Sequence, residues 1–275
     1  MIKVLISFVF IFITIPVTAG MILGVHPYLD HQSIIKRFQP LANYLSFHLN
    51  QEVQIRVGHT YDDHLRTIGE NEIDIAYLGP ASYVKMVDNY GRKPLLARLE
   101  AKGKPVFSGH IIIRENSSIS TIGELKNKYF AFGDQNSTMS SLIPKAILNK
   151  HHVSLDELSG YRHYKGHNNV ALAVLMADAD AGAVKEEVYE KYKNKGLKSL
   201  MKSPLISEHV FVARSNMSPT LVDKIKRLLL AMNSEEKVKL YLKPIKKSLT
   251  GLVDVKDEDY DSLRGLINLK PAAAK

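Results

Sequence analysis

The feature that most constrains the fold is a regular alternation between short apolar runs and longer amphipathic runs. Met21–Val25, Val53–Val57 and Ile73–Leu78 have the composition of buried strands, and apolar residues recur at helical spacing between them. Strands that alternate with helices are typical of folds in which helices cover a sheet on its faces. The chain is therefore expected to form α/β layers rather than an all-β or all-α fold.

A second set of alternating runs follows the first. His110–Arg114, Tyr129–Gly133 and Ala181–Val184 are its predicted strands. The joins between the two sets, at 104–109 and 203–208, are short and contain Gly, Pro and Ser. No low-complexity linker separates the sets, so both are expected to belong to one closely connected molecule.

Two joins indicate that the middle of the chain is inserted into a unit formed by its two ends. A chain of 275 residues is long enough for about two units of roughly 150 residues each. We predict a first lobe from residues 20–106 and 207–275 and a second lobe from 107–206. Two strands would then form the hinge, with a cleft between the lobes.

The first nineteen residues predict a cleaved signal peptide, residues 1–19. Met1-Ile2-Lys3 is a short basic start, Val4–Val17 is almost wholly apolar, and Val17-Thr18-Ala19 supplies small residues before the cleavage point. The apolar run is about 14 residues, which is shorter than the roughly 20 that span a bilayer as a helix. An uncleaved membrane anchor is the alternative. The mature chain is expected in the periplasm.

The chain carries 37 Lys and Arg against 28 Asp and Glu, a formal charge of +9. Such an excess suits nucleic acid, an acidic membrane or a small anion, and export argues against nucleic acid. The basic runs Lys191–Lys195 and Lys243–Lys247 are predicted to be solvated surface. Cysteine is absent, which excludes disulfides, Cys-bound metals, a Cys nucleophile and a lipid-anchored cysteine.

The sharpest local motif follows the strand that ends at Gly133. Its polar turn, Asp134-Gln135-Asn136-Ser137-Thr138, leads into a predicted helix from about Ser137 to about Asn149. Backbone N–H groups at a helix start are unpaired and can bind an oxyanion, and Ser137 and Thr138 would add hydroxyl donors. An ordinary helix cap is the alternative. Pro144 predicts that this helix is short or bent.

Two other loops follow strands in the same way. Gly79 lies between a strand and a helix start, and His26-Pro27-Tyr28 follows the first strand. Ligands of open α/β sheets bind at the carboxyl ends of strands. Two helix starts that face one cleft would suit a small tetrahedral anion, although Gly79 alone is equally typical of a plain turn.

Several of these segments resemble one family in their order and spacing. They are Asp74–Pro80, Gly133–Thr138 and Gly166-His167, followed by Ala171–Val174 and Asp180–Ala183. From about residue 21 to about residue 235 the chain is similar to the phosphate/phosphite/phosphonate-binding family, the exported substrate-binding components of ABC importers. The turn and the Gly-His pair are specific in combination, whereas any one motif alone would not be.

The resemblance implies a type II-like periplasmic-binding-protein fold, with two α/β lobes, a two-strand hinge and the ligand in the inter-lobe cleft. The expected function is capture of a phosphorus oxyanion (phosphonate, phosphite or phosphate) by lobe closure, for delivery to an inner-membrane ABC permease. The protein is expected to be a monomer that binds no nucleic acid and no cofactor.

The resemblance also implies roles for particular residues. Ser137 and Thr138 match the residues that hydrogen-bond the phosphonate oxygens, and His167 matches a histidine that contacts the phosphonate. From its position alone, His167 is a polar residue before a helix and is more typical of a cap. Tyr61 matches a tyrosine that reaches the ligand, and Glu187 matches a carboxylate side chain that binds it. The other predicted ligand-binding residues are Asn136, Gly79, His209 and Tyr28.

Two residues depart from the pattern of the family. Phe107 replaces a cleft tyrosine, and His209, after Glu208, replaces an Asp of the aminoalkylphosphonate binders. Without that Asp, one partner of a ligand ammonium is lost, so 2-aminoethylphosphonate is expected to bind worse than methylphosphonate, phosphite or phosphate. His209 is also expected to add positive charge at low pH.

Three other functions fit parts of the sequence. A binding protein that serves a sensor kinase would need the same ligand chemistry. A metal-binding protein could use His151-His152 or the pair His163 and His167, but Gly166 and the strand before it argue against one helical face for the pair. A hydrolase is disfavoured because Ser137 lacks a Gly-x-Ser-x-Gly context, and no enzymatic activity is expected.

Overall fold

Two β-sheets covered by helices organise residues 20–267, the part of the chain that the computed structural model describes. The predicted signal peptide, residues 1–19, lies outside the described residues. The strands in chain order are β1 (Met21–Val25), β2 (Val53–Val57), β3 (Ile75–Leu78), β4 (Leu95–Ala101), β5 (Val106–Phe107), β6 (Gly109–Arg114), β7 (Tyr129–Phe132), β8 (Gly160–His163), β9 (Ala181–Lys185), β10 (Leu197–Lys202), β11 (Ile206–Ser207), β12 (Val210–Ala213) and β13 (Leu249–Val253).

The helices are separated by short loops and single turns. In chain order they are α1 (His31–Leu49), α2 (Tyr61–Gly69), α3 (Pro80–Tyr90), α4 (Ile143–Lys150), α5 (His167–Leu175), α6 (Glu186–Tyr192), α7 (Pro219–Leu230), α8 (Glu235–Lys237) and α9 (Asp261–Ile267). Wide helical turns at Thr138–Leu142 and Val238–Leu242 precede α4 and follow α8. The predicted alternation of strands and helices is confirmed.

The larger sheet has the strand order β13–β4–β12–β3–β1–β2. β1 is parallel to both β2 and β3, whereas β12 is antiparallel to β3 and β4. β1 and β3 are central and are therefore buried on both faces, so they lack a strict alternation of polar and apolar residues. Their carboxyl ends carry the loops that begin at His26 and Gly79.

The smaller sheet has the order β10–β6–β9–β7–β8. β7 is parallel to β8 and β9, and β6 is antiparallel to β9 and β10. The chain crosses between the sheets at β5 and β11, which pair with each other as a two-stranded antiparallel ribbon. The fold is thus the predicted two-lobed α/β architecture with a two-strand hinge. The exact lobe boundaries, 106/107 and 206/207, stay predictions.

The end of the described chain touches both lobes. Helix α9 packs against α3 of the larger lobe, against the hinge strand β11 and against α4 of the smaller lobe. Tyr260, just before α9, is fully buried, and its hydroxyl donates to the Glu208 carbonyl at 2.9 Å. This segment therefore links the C-terminal part of the chain to the hinge.

Several helix starts are served by nearby side chains. α1 is one helix that contains Pro40. The Thr60 hydroxyl accepts from Asp63 N at 3.0 Å, and the Asp63 carboxylate accepts from His59 N. The Glu124 carboxylate accepts from Ser120 N. Side chains in first turns can satisfy any nearby free N–H, so spacing alone does not fix the partner.

Candidate functional site

A small cavity lies where the loops of the two lobes meet. Its volume is about 60 Å³, enough for a few water molecules or one small polar ligand. Both lobes and the hinge strand β5 contribute to its wall. The lining residues are His26, Tyr28, Tyr61, Tyr77, Gly79, Ser82, Phe107, Ser137, Thr138, Met139, His167, Lys185, His209, Ile245 and Lys246.

The structure brings most of the predicted site residues together here. Those that line the cavity are Tyr28, Tyr61, Gly79, Ser137, Thr138, His167 and His209. Asn136 and Glu187 do not line it: Glu187 pairs with Lys185 at the wall, whereas Asn136 contacts Asp62 and Lys85. That these side chains bind a ligand stays a prediction.

The turn after β7 depends on a close approach at Gly133. Gly133 N donates to the Ser140 carbonyl at 2.8 Å, and a Cβ at residue 133 would lie 1.9 Å from Ser140 Oγ. No larger residue fits there. The predicted helix from about Ser137 is confirmed, because Ser137 caps a wide helical turn over Thr138–Leu142 that continues into α4 from Ile143 to Lys150; only its first turn departs from α-helical geometry. Pro144, which lacks an N–H, lies in the first turn of α4, where the wide turn ends.

The two predicted hydroxyl donors are each held by a neighbouring donor. Ser140 Oγ donates to Ser137 Oγ at 2.8 Å, and Ala81 N donates to Thr138 Oγ1 at 3.1 Å. Both hydroxyl oxygens thus accept a bond and keep their own hydrogens for a third group. The start of α3 is not open as expected, since Thr138 from the other lobe already binds one of its N–H groups.

His167 is the first residue of α5 and follows Gly166, whose φ is +77°. Its Nδ1 accepts from Lys185 N at 3.1 Å, which places the ring hydrogen on Nε2. Burial, with smaller contributions from Lys185 and His209, lowers the pKa of His167 to about 3. His167 is therefore a neutral hydrogen-bond donor rather than a helix cap.

A stack of rings forms the back wall on the side of the larger lobe. The ring centroids of His26 and Tyr77 are 5.3 Å apart, and those of Tyr77 and His209 are 5.2 Å apart. His26 Nδ1 and His64 Nε2 both donate to the Tyr77 carbonyl, at 3.3 and 3.1 Å. Burial lowers the pKa of His26, and it lowers the pKa of His64 to about 4. His26 was not among the predicted site residues, although its loop was identified.

Glu208, His209 and Lys246 form a charged row beside this stack. His209 Nδ1 donates to Glu208 Oε2 at 2.9 Å, and the Lys246 ammonium donates to the other oxygen, Oε1. Burial alone would raise the pKa of Glu208, but the hydrogen bonds and charges of His209 and Lys246 outweigh it and hold the pKa at about 2. The prediction that Lys243–Lys247 is solvated surface is wrong at Lys246, which lines the cavity.

Lys185 supplies a second cation at the cavity wall. Its ammonium lies 3.3 Å from Glu187 Oε2 and 5.9 Å from the centroid of the Tyr28 ring. Burial lowers the pKa of Lys185. Two lysines, Lys185 and Lys246, therefore line the site together with the hydroxyl groups of Ser137 and Thr138. Lys185 lies in an ordinary strand sequence, so only the pairing of β9 places it here.

Asn136 joins the lobes outside the cavity. Its Nδ2 donates to Asp62 Oδ1 at 3.1 Å, and its Oδ1 accepts from the Lys85 ammonium. Both partners lie on helices of the larger lobe, whereas Asn136 lies on the smaller one. Asn136 thus contacts the opposite lobe rather than the space that a ligand would occupy.

The described residues form neither a metal-binding cluster nor a membrane-spanning helix. Across residues 20–267, no three His, Asp or Glu side chains are arranged to hold a metal ion. His163 Nδ1 donates to the Gly133 carbonyl at 2.6 Å, and His167 Nδ1 accepts from Lys185 N at 3.1 Å. No helix in this part of the chain is long and apolar enough to cross a membrane.

Comparison with known proteins gives a family match over most of the chain. The family model "ABC transporter, phosphonate, periplasmic substrate-binding protein" matches residues 23–260. The phosphonates-binding periplasmic protein of Escherichia coli (strain K12) is 28% identical over 207 residues, which are 71% of this chain and 61% of that protein. This chain therefore spans about three fifths of that relative.

Two other proteins are similar over longer shares of their length. The phosphate-import protein PhnD of Mycolicibacterium smegmatis is 26% identical over 82% of this chain and 78% of its own. The structure of PhnD1 from Prochlorococcus marinus in complex with methylphosphonate has a TM-score of 0.80 and 20% identity, and covers 91% of this chain and 99% of that one. That likeness establishes the fold.

Proposed function

Because the chain belongs to the family of periplasmic substrate-binding proteins of phosphonate ABC transporters, we propose that it captures a small phosphorus oxyanion in its cavity. The ligand is a phosphonate, phosphite or phosphate, and the protein, as a monomer, delivers it to an inner-membrane permease. The main support for this proposal is that hydroxyl, imidazole and ammonium donors from both lobes converge on a cavity of about 60 Å³.

The donors suit an anion with several oxygens. Ser137 and Thr138 keep hydroxyl hydrogens to donate, and His167 offers Nε2–H in its neutral form. Lys185 and Lys246 add positive charge, and Glu187 and Glu208 offset it. Hydrogen bonds in a site of low dielectric are strong when the acceptor is charged, so the anion replaces its hydration shell with fixed protein donors.

Binding is coupled to the arrangement of the lobes. Ser137, Thr138 and His167 lie on the smaller lobe, whereas Tyr61 and His26 lie on the larger one. A ligand that contacts both sets stabilises the arrangement in which the lobes meet, in proportion to its differential affinity for that state. No bond in the ligand is made or broken, so the protein acts as a receptor and not as an enzyme.

The first experiment removes the two hydroxyl donors. We expect Ser137→Ala with Thr138→Ala to weaken methylphosphonate or phosphite binding at least tenfold, about 1.4 kcal/mol. Isothermal titration calorimetry measures this affinity. The exposed pair Ser215→Ala with Thr220→Ala, outside the cavity, is the control and should bind as wild type. Equal affinity of the two double variants would contradict the assignment of the site.

The second experiment compares ligands. We expect 2-aminoethylphosphonate to bind more weakly than methylphosphonate, because the cavity offers its ammonium no free carboxylate. Glu187 is paired with Lys185, and Glu208 is paired with Lys246 and His209. Competition calorimetry with both ligands tests this order, and a preference for the amine would refute it.

A further inference from the structure

A neighbouring carboxylate fixes the protonation of His209 at Nδ1, whereas no neighbour fixes it at Nε2. His209 Nδ1 faces the carboxylate of Glu208 at 2.9 Å and must carry the ring hydrogen, because a carboxylate only accepts. In the neutral ring, Nε2 is then a bare acceptor. Among residues 20–267, no group hydrogen-bonds to Nε2.

Nε2 of His209 lies at the cavity. A Cβ built on Gly79 would be 3.7 Å from this nitrogen and 3.9 Å from Thr138 Oγ1, so Nε2 and the Thr138 hydroxyl approach the same spot at the start of α3. His209 and Thr138 both line the cavity. A tetrahedral oxyanion at this spot can therefore present oxygens to both the Thr138 hydroxyl and Nε2.

The groups around His209 balance in charge when the histidines are neutral. Burial lowers the pKa of His209, and Glu208 acts against this shift. The titratable groups that face His209 from its own and neighbouring elements are Glu208, Lys246, Lys185, His167, His26 and Tyr77. Two ammonium groups oppose Glu208 and nearby Glu187, so an entering dianion would leave the site negative by two.

On the proposed function above, we propose that His209 and the bound oxyanion share one proton along Nε2. A ligand that arrives as a monoanion with a P–OH group donates that hydrogen to neutral Nε2. A ligand that arrives as a dianion binds together with one proton from water, and Nε2–H then donates to it. Both routes end in the same complex, with one proton between ring and oxyanion.

His26 is a weaker candidate for the same role. Its Nδ1 donates to a neutral carbonyl, that of Tyr77, so no carboxylate stabilises a positive charge on its ring. The Glu208 carboxylate supplies the negative charge that would stabilise a protonated ring, and it contacts His209 rather than His26. The proton therefore belongs to His209.

The proposal makes His209 a determinant of specificity. Methylphosphonate as a monoanion and methanesulfonate have the same charge and shape, but only the former carries a hydrogen on its oxygens. Neutral Nε2 accepts that hydrogen. A sulfonate oxygen has no hydrogen to donate, so the lone pairs of Nε2 and of that oxygen would repel each other. The site should therefore favour phosphorus oxyanions over sulfonates of equal charge.

The test counts protons by calorimetry of the full-length mature protein with methylphosphonate. Titrations in pairs of buffers with different ionisation enthalpies should show uptake of about one proton per ligand above the second pKa of the ligand, and almost none below it. In His209→Gln, whose amide donates without titrating, the uptake should vanish while binding remains measurable. His110→Gln, a buried histidine outside the cavity, should keep it.

Ligand preference is the second measurement. Below the second pKa of methylphosphonate, wild type should prefer it to methanesulfonate at least tenfold. The rotatable amide of His209→Gln should narrow that ratio. Binding without proton uptake in wild type, or unchanged uptake in His209→Gln, would overturn the inference and leave the proposed function intact. Failure of every phosphorus oxyanion to bind would overturn both.

Discussion

At the scale of single residues, the row of Lys246, Glu208 and His209 organises the cavity. Glu208 is fully buried and its two carboxylate oxygens bind different partners. A buried carboxylate without such partners would be strongly destabilising, so the row holds together as a unit. On the proposed function, an anion that enters the cavity meets Lys246 and His209 already oriented by Glu208.

Loss of Lys246 should therefore affect stability as well as binding. We expect Lys246→Met to lower the free energy of unfolding by about 3 kcal/mol, because it leaves the Glu208 charge without its cation. Adding Glu208→Gln should restore part of this loss, since no buried charge then remains. Urea denaturation measures both variants. The exposed Lys247→Met is the matched control, and an equal effect of the two lysine variants would contradict the role of the buried pair.

At the scale of elements, the segment from β7 to α4 carries both the proposed ligand donors and contacts between the lobes. The wide turn at Thr138–Leu142 places Thr138 against the start of α3, while Asn136, just before it, reaches Asp62 and Lys85. One loop of the smaller lobe thus contacts two helices of the larger lobe. This arrangement ties ligand contact to the meeting of the lobes.

Removal of the Asn136 side chain should weaken binding without any loss of direct ligand contact. We expect Asn136→Ala to reduce oxyanion affinity roughly fivefold, about 1 kcal/mol, since its bonds to Asp62 and Lys85 exist only when the lobes meet. Calorimetry gives the affinity, and small-angle scattering gives the fraction in which the lobes meet. Asn43→Ala, which removes an exposed amide on α1, is the control. Unchanged affinity of Asn136→Ala would show that this contact does not contribute to closure.

At the scale of the whole molecule, buried histidines make the free energy of unfolding depend on pH. The pKa values of His26 and His209 are lowered, that of His64 to about 4 and that of His167 to about 3, in each case chiefly by burial. A histidine whose folded pKa lies below its unfolded value of about 6.5 binds more protons when unfolded. Its contribution to stability is present above that value and is lost as the pH falls toward the folded pKa.

We therefore expect the free energy of unfolding of the ligand-free protein to fall by at least about 2 kcal/mol between about pH 7.5 and about pH 5. Urea denaturation at a series of pH values measures the slope. His64→Gln should flatten it, because His64 is buried away from the charged row, whereas His48→Gln on the outer face of α1 should not. A flat profile in wild type would mean that these histidines become charged in the folded state without cost.

Much of the fold followed from local patterns. Strand positions such as β1, β2 and β9 agree with the predictions because runs of apolar residues are local properties of the sequence. β13, by contrast, carries Thr250 and Gly251 and follows a basic stretch, so its pairing with β4 had no clear local signal. The wide first turn of the helix after Ser137 brings Ser140 against Gly133, a contact that spacing alone does not reveal.

The sequence by itself determined the two-lobed fold class, the family and seven of the fifteen residues that line the cavity, because the turns that follow strands and their polar side chains are local features of the sequence. Only the tertiary structure decided the charges there. Lys185, His26 and Lys246 come from three distant segments, and Lys246 belongs to a run that looks like ordinary surface. Whether a lysine is solvated, and which nitrogen of His209 bears the proton, depends on neighbours that the chain brings together only when it folds.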